Sequence, residues 1–389
     1  MVFIKGVLNL LYYVFGVMLY ASIAIFSVGG IRKTNIWIFG YGGGSGFRDN
    51  SRSLYEYTHE NVDRVEAVWL TRDTELVDEL KSDGYNAFSI RSLSGIYYNI
   101  RAERAFITHS RWDICWWASG GIEVVNLTHG IPYKKYRWSN SAEVDNMSVL
   151  EHTIKKYITW NFHYAIAPSK PFISTIAEAE NVNEQNILVT GLPKYDSHYK
   201  QDIDGNERIL EYIIDQKSVF YFPTWREGES VWFEGLDLAE MNRFLIRNNI
   251  NLLIVPHKNS NEITQDTYDN IWITDTDVSF ELILNHVDLF ITDYSSITYD
   301  ALKTDTPIIY YPFDYDEYIS GREFVFDYDY ISPGPKVYDQ SSLTRAITDM
   351  IQGRDKYHKR RMCLIKELEI SDSCNSNSSK SICEYLNIE

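Results

Sequence analysis

The chain has 389 residues, 44% of them hydrophobic, which is the content of a folded protein and too long for one ordinary core, so two domains are expected. Its formal net charge of -17 excludes a general nucleic-acid binder, because nothing offsets repulsion from phosphates; a local basic pocket inside an acidic shell stays compatible. The four cysteines, Cys115, Cys363, Cys374 and Cys383, follow no metal-ligand spacing and fit a reducing compartment.

The N-terminus differs from everything after it. From Gly6 to Ile31 no residue is charged, with Lys5 before and Arg32 and Lys33 after. As a helix this stretch spans about 39 Å, enough for a hydrocarbon core of about 30 Å, and apolar residues surround it on all sides. A cleaved signal peptide competes with a membrane anchor, since small residues stand before Gly30. Basic residues on both flanks leave the orientation open.

Behind it, NIWIFGYGGGSG reads as a buried strand running into a glycine-rich turn. Ser45 stands where the third glycine of a G-x-G-x-x-G would be, which favours a plain strand-to-helix turn over a phosphate cradle. RVEAVWLT, the helix-like TELVDELKSDG, YNAFSI, ERAFITHS and IEVVNLTHG follow. Short apolar strands alternating with helical segments predict a parallel sheet with helices on its faces. A second half repeats the grammar through NILVTGLPKYDS, ERILEYIID, SVFYFPTWRE, NLLIVPHKN, NIWITDT, LFITDY and TPIIYYPFD. The fold class is therefore α/β and GT-B-like, two Rossmann-like domains facing a cleft behind an N-terminal hydrophobic helix. The domain boundaries follow as 1–31, 32–200 and 201–389. SSLTRAITDMI and YHKRRMCLIKELE close the chain as helices, the second with a basic face, before a serine-rich stretch and a last short helix.

In open parallel sheets, ligands bind outside the carboxyl ends of the strands. His129 ends the strand of NLTHG, where an imidazole that titrates near neutrality can take a hydroxyl proton; a structural hydrogen bond to a loop carbonyl is an equal reading. Lys134 and Lys135 follow within reach of a phosphate. His257 with Lys258 suits a diphosphate better than proton transfer. Arg226, after Thr224 in FPTWRE, offers a bidentate fork, although alone it reads better as a salt bridge. After the strand LFIT, Ser295 and Ser296 stand at the start of a helix whose first amides suit an anion; a serine cap is the plainer role. Asp293 and Asp300 would repel phosphate and are expected to orient the loop, or Asp300 to meet a ligand hydroxyl. The D-x-D patterns at Asp275 to Asp277 and Asp327 to Asp329 read as a turn and a loop, and no metal or cofactor is expected.

These motifs, in order, resemble the CDP-glycerol glycerophosphotransferase family of teichoic acid primases and polymerases. They are GFRDNSRSLYEY with its Asp49–Asn50 pair, AVWLTRD, THGIPYKK, GLPKYD, YFPTWRE, PHK, ITDYSSITYDAL, YYPFDYDEY and DYDYISPGP. The resemblance implies transfer of glycerol phosphate, or a related polyol phosphate, from a CDP-activated donor to a lipid-linked glycan or polyol-phosphate acceptor, with release of CMP. It implies His129 as base, His257 at the diphosphate, and Ser295 and Ser296 at the donor. Thr224, Arg226, Lys258, Asp293 and Asp300 are expected on the donor side, and Asp49, Asn50, Lys134 and Lys135 at the acceptor or a phosphate. Such an acceptor is made inside cells, which favours a retained membrane anchor over 1–31 with the catalytic domains on the cytoplasmic side of the cell membrane. Two departures stand out. Ile254 and Val255 precede the PH motif where members often carry a basic residue, and the chain is short, favouring single addition over long-chain polymerisation. A GT-B glycosyltransferase or epimerase using a UDP-sugar, and an inactive membrane-anchored nucleotide-binding protein, are the alternatives. The oligomeric state is not legible.

Overall fold

The structure is a computed structural model; it describes residues 2–196, 206–226, 235–256, 268–274, 278–370 and 377–386, with side chains from Tyr12 onward. His257, Lys258, Cys374 and the pattern Asp275 to Asp277 lie outside the described residues. The chain divides into two compact units. Unit 1 comprises Met1–Ile131, Tyr136–Tyr199 and Asp372–Glu389, and unit 2 comprises Pro132–Lys135 and Lys200–Ser371. The first 31 residues thus belong to unit 1 rather than standing apart. The last helix, Ser378–Tyr385, also returns to unit 1, where the Asp196 carboxylate of GLPKYD accepts the amides of Ser378 and Ser379 at 2.7 and 2.8 Å.

Unit 1 is built on seven strands: β1 Lys33–Phe39, β2 Glu66–Thr71, β3 Ala87–Ser89, β4 Ala102–Ile107, β5 Glu123–Asn126, β6 Tyr164–Ala167 and β7 Ile187–Val189. Every pair is parallel and the spatial order is β3-β2-β1-β4-β5-β6-β7. Strands covered on both faces need continuous apolar runs, and the carboxyl halves of β1 and β2 are wholly buried. The strand β6 lies in HYAIAPS, too short an apolar run to stand out in the sequence.

Unit 2 repeats the plan with β8 Lys217–Phe222, β9 Ile250–Ile254, β10 Ile271–Ile273, β11 Leu289–Thr292 and β12 Ile308–Tyr310, in the parallel order β10-β9-β8-β11-β12. In both sheets the strand order reverses beside the first strand, between β1 and β4 and between β8 and β11. A crevice opens at such a switch point because successive crossovers leave in opposite directions.

The N-terminal segment is a helix, α1 Val2–Val28. It does not stand free to cross a bilayer. Its inner face lies on unit 1 along the described length: Tyr12 hydroxyl accepts from Trp116 Nε1 at 3.2 Å, and Ser27 donates to the Gly120 carbonyl at 3.0 Å. Between them, Gly16 is packed so closely on Trp116 that a Cβ would collide with the indole, and Gly120 meets the Tyr20 carbonyl in the same way. Arg32, expected to flank an anchor at the headgroups, is instead spent on the carbonyls of Asn99 and Ala102 at 3.0 and 2.6 Å and on Gly120. Burial, then the nearby Arg111, lowers its pKa to about 10. Among the described residues no helix is long and apolar enough to cross a membrane, so a spanning anchor finds no support.

Candidate active site

In unit 1, β5 ends at Asn126 and the chain turns sharply to present His129. The turn is strained: Thr128 has φ +49°, a region that a β-branched residue rarely enters. Helix α2 Asp49–Asn61 holds it there. The buried Asn50 amide donates to the carbonyls of Leu127 and Thr128 at 2.9 and 3.1 Å, and its oxygen accepts the Lys194 amide at 3.0 Å. Asn50 was expected at an acceptor or phosphate; with its side chain wholly engaged by backbone, it positions the histidine turn instead. Asp49, also at positive φ (+61°), starts α2 and accepts the Asn50 amide at 2.8 Å.

His129 keeps an exposed edge while protein atoms crowd its ring. Desolvation, then His109, Lys194 and Arg137, push its pKa down to about 3. The three cationic or potentially cationic neighbours act in the same direction as desolvation, so the lowering does not depend on burial alone. The imidazole is neutral at physiological pH and can accept a proton.

A second histidine stands beside it. His109, just beyond β4, lies 5.1 Å from His129 between ring centroids, with the planes 10° apart. Sequence reasoning passed over it, although it follows the apolar run AFIT at a strand end as His129 follows VVNLT. The adjacent glycine turn is anchored too. Gly43, at φ +72°, donates its amide to Asp113 Oδ1 at 2.7 Å, and Asp113 Oδ2 accepts the amides of Thr108 and His109 at 2.9 Å each. Asp113 thus ties the β1 and β4 ends together. The described part of the turn is organised by protein groups, in keeping with a strand-to-helix connection.

In unit 2 the strand ends converge on a different arrangement. Asp293, after β11, is completely buried and accepts Thr224 N at 3.0 Å, Thr224 Oγ1 at 2.6 Å and Tyr294 N at 2.6 Å. Arg226 binds Asp293 Oδ2 at 2.6 Å and forks onto Asp314 at 2.8 and 2.9 Å, while also donating to the Thr224 carbonyl. Its guanidinium carbon sits 5.1 to 5.6 Å from the ring centres of Phe313, Tyr294 and Tyr318. The fork expected to grip a phosphate is therefore committed to two carboxylates. Thr224 and Asp293 likewise bond to each other.

The serine turn opens the helix Ile297–Lys303. The amides of Ile297, Thr298 and Tyr299 already bond to Ser295 Oγ, Ser295 O and Ser296 O at 3.4, 3.2 and 3.0 Å. Anion binding by those three amides, expected for an open helix start, would require breaking these bonds. Asp300 lies one turn into the helix, partly buried. Lys134 and Lys135 belong to the short segment of unit 2 that pairs with Phe324 in an antiparallel bridge. Lys135 is taken by Glu323 at 2.6 Å. Lys134 donates to Tyr318 Oη at 2.8 Å, and burial lowers its pKa to about 8. The pattern Asp327 to Asp329 caps a helix, with Asp327 accepting the Tyr330 amide at 3.1 Å and Asp329 pairing with Lys336 at 3.2 Å.

Residues 23–386 match the family described as CDP-glycerol:poly(glycerophosphate) glycerophosphotransferase. The chain belongs to that family. It is 24% identical over 370 residues to a teichoic acid glycerol-phosphate transferase of Staphylococcus aureus, covering 88% of this chain and 90% of that protein. A teichoic acid poly(glycerol phosphate) polymerase of Bacillus spizizenii is 25% identical, over 81% of this chain and 84% of its own. The wall teichoic acid polymerase TagF superposes with a TM-score of 0.72 at 18% identity, covering 99% of this chain and 96% of that chain. A UDP-bound MnaA of S. aureus shares the fold more distantly, with a TM-score of 0.59 at 13% identity over 92% of this chain and 98% of that chain.

Proposed function

We propose that this glycerophosphotransferase moves glycerol phosphate, or a related polyol phosphate, from a CDP-activated donor to a hydroxyl of a teichoic-acid-type acceptor. The observation that carries the reading is the neutral His129, held at the end of β5 by a strained turn and a dedicated buried asparagine. The acceptor oxygen attacks the phosphorus next to the polyol, the bond from that phosphorus to CMP breaks, and His129 takes the hydroxyl proton as the new ester forms. CMP leaves with its electron pair. The donor lies against unit 2, at the loop after β11 that carries Ser295, Ser296 and Asp300, with His257 and Lys258 at the diphosphate.

The acceptor is lipid-linked and the enzyme works at the cytoplasmic face of the cell membrane. Contact with a membrane surface is supported by the outer face of α1, where Phe15, Met18, Ile25 and Phe26 are each more than 60% exposed. Residues three, four and seven apart share one helical face, so these four form a single apolar stripe opposite the contacts with unit 1. The helix lies on the membrane surface by that stripe rather than crossing it.

The test is CMP release from CDP-glycerol, CDP-ribitol and UDP-sugars with a lipid-linked acceptor, beside His129→Ala. Turnover of one CDP-polyol that the variant loses supports the reading and identifies the donor. Turnover of a UDP-sugar alone would move the protein to sugar transfer or epimerisation. Replacing Phe15, Met18, Ile25 and Phe26 together by serine should release the protein from liposomes while leaving turnover of a soluble acceptor intact.

A further inference from the structure

The neighbour of His129 has the marks of a built partner. His109 Nδ1 lies 2.7 Å from Thr108 Oγ1, and that hydroxyl lies 3.4 Å from the buried Asp113 Oδ2. With the hydroxyl donating to the carboxylate, Nδ1 carries the imidazole proton and Nε2 is left as an acceptor. Three further contacts hold the residue. Its amide is bound by Asp113, its carbonyl accepts from Arg137, and Tyr41 meets its ring edge-on with centroids 5.7 Å apart. An imidazole oriented by a hydroxyl, itself backed by a buried carboxylate, follows the logic by which sites hold a working base in one tautomer. Here the oriented ring has His129 parallel to it, at an offset-stacking distance.

We propose that His109 is a positioning residue for the transfer reaction: it fixes the plane of the His129 ring and limits the stacked pair to a single proton. Two imidazolium rings in this arrangement repel, so the protonation of one opposes that of the other. The surrounding charges reinforce the limit. Lys194 approaches the His129 carbonyl at 3.4 Å, and Arg137 stands behind His109 with its own charge met by Glu180. After the acceptor hydroxyl gives its proton to His129, the pair holds its one proton and must pass it to solvent or to the departing product before the next turnover.

This inference rests on His129 being the base, and the experiment separates the two. The full-length protein, labelled at histidine, is titrated by NMR without substrate, and the pH profile of CMP release is measured on the same variants. His109→Phe keeps a stacking ring and removes the titrating group. His109→Asn keeps a hydrogen-bonding partner for Thr108 and removes the ring. In His109→Phe the His129 resonances should titrate higher, on the order of one unit, and the acid limb of kcat/KM should rise with them, at unchanged KM for the CDP donor. In His109→Asn, kcat should fall roughly tenfold, because the ring of His129 loses its wall. Unaltered His129 titration and unaltered kcat in both folded variants would overturn the proposal. A raised His129 titration without any turnover of a CDP-polyol by the parent protein would uphold the pairing and refute the transfer reading.

Discussion

The carboxyl ends of the two parallel sheets use the same topology for opposite purposes. In unit 1 the groups beyond β4 and β5 are poised. Thr128, Asp49 and Arg137 all sit at positive φ, and His129, which follows Thr128, keeps an open edge. In unit 2 the groups beyond β8 and β11 are paired off: one guanidinium, two carboxylates and a ring of tyrosines satisfy one another. Backbone strain persists only where surrounding structure imposes it, and beside His129 it marks a turn whose geometry is held for chemistry. A buried ion pair costs desolvation that its own attraction offsets, and it marks unit 2 as a platform whose shape depends on charge balance.

The largest expected effects come from exchanging these roles. His129→Ala should lower the rate of CMP release by about 100- to 10,000-fold while leaving thermal unfolding unchanged. Arg226→Ala should do the reverse. It leaves the fully buried Asp293 without its cation, and about 3–5 kcal/mol of stability should be lost in urea titrations followed by unit 2 fluorescence. If Arg226→Ala unfolds no earlier than the parent but abolishes donor binding, the guanidinium is a ligand group after all and the contrast between the units fails.

A smaller effect probes the tie between β1 and β4. Gly40 lies so close to the Asp113 carbonyl that an added Cβ would collide with backbone. Gly40→Ala should cost about 1–3 kcal/mol and should also slow turnover, since the displaced Asp113 loop carries His109. Relieving strain should separate stability from activity. Thr128→Gly removes a left-handed conformation unfavourable to threonine, worth about 1–2 kcal/mol, against a greater backbone entropy of the unfolded chain. Unfolding should be neutral or slightly later, and kcat should fall. A variant with full activity would show that the strained turn does not aim His129.

The smallest and slowest effect is alkaline. Burial lowers the Lys134 pKa to about 8, so the unfolded chain binds a proton that the folded chain has lost between pH 8 and the ordinary 10.5. Stability should rise across that window, and Lys134→Met should flatten the rise. Above pH 10 the sign reverses. Burial raises Tyr133, Tyr221, Tyr294 and Tyr328 of unit 2, so the folded chain keeps protons that the unfolded chain gives up. Stability is full below the ordinary tyrosine pKa and is lost as pH climbs beyond it, with unit 2 opening first in amide exchange.

Much of this was legible in the chain. Continuous apolar runs ending in polar residues identified eleven of the twelve strands described, because strands buried on both faces admit little else. The ordered motifs led to the family, and the strand-end rule led to His129. What stayed hidden depended on neighbours distant in sequence. That Arg226 is spent on Asp293 and Asp314, 67 and 88 residues away, follows from three loops meeting, which no local spacing encodes. That α1 lies on unit 1 follows from Gly16 and Gly120 fitting against Trp116 and the Tyr20 carbonyl, a matter of surface shape that hydropathy does not contain. His109 and His129 stand 20 positions apart and look unrelated in the chain. The parallel pairing of β4 with β5 places their carboxyl ends side by side, and only that pairing makes the two rings one unit. The sequence by itself determined which segments are buried and where the strands stop. The tertiary structure decided which of the exposed ends meet, because charge pairing and ring stacking act through space over a few ångströms and not along the chain.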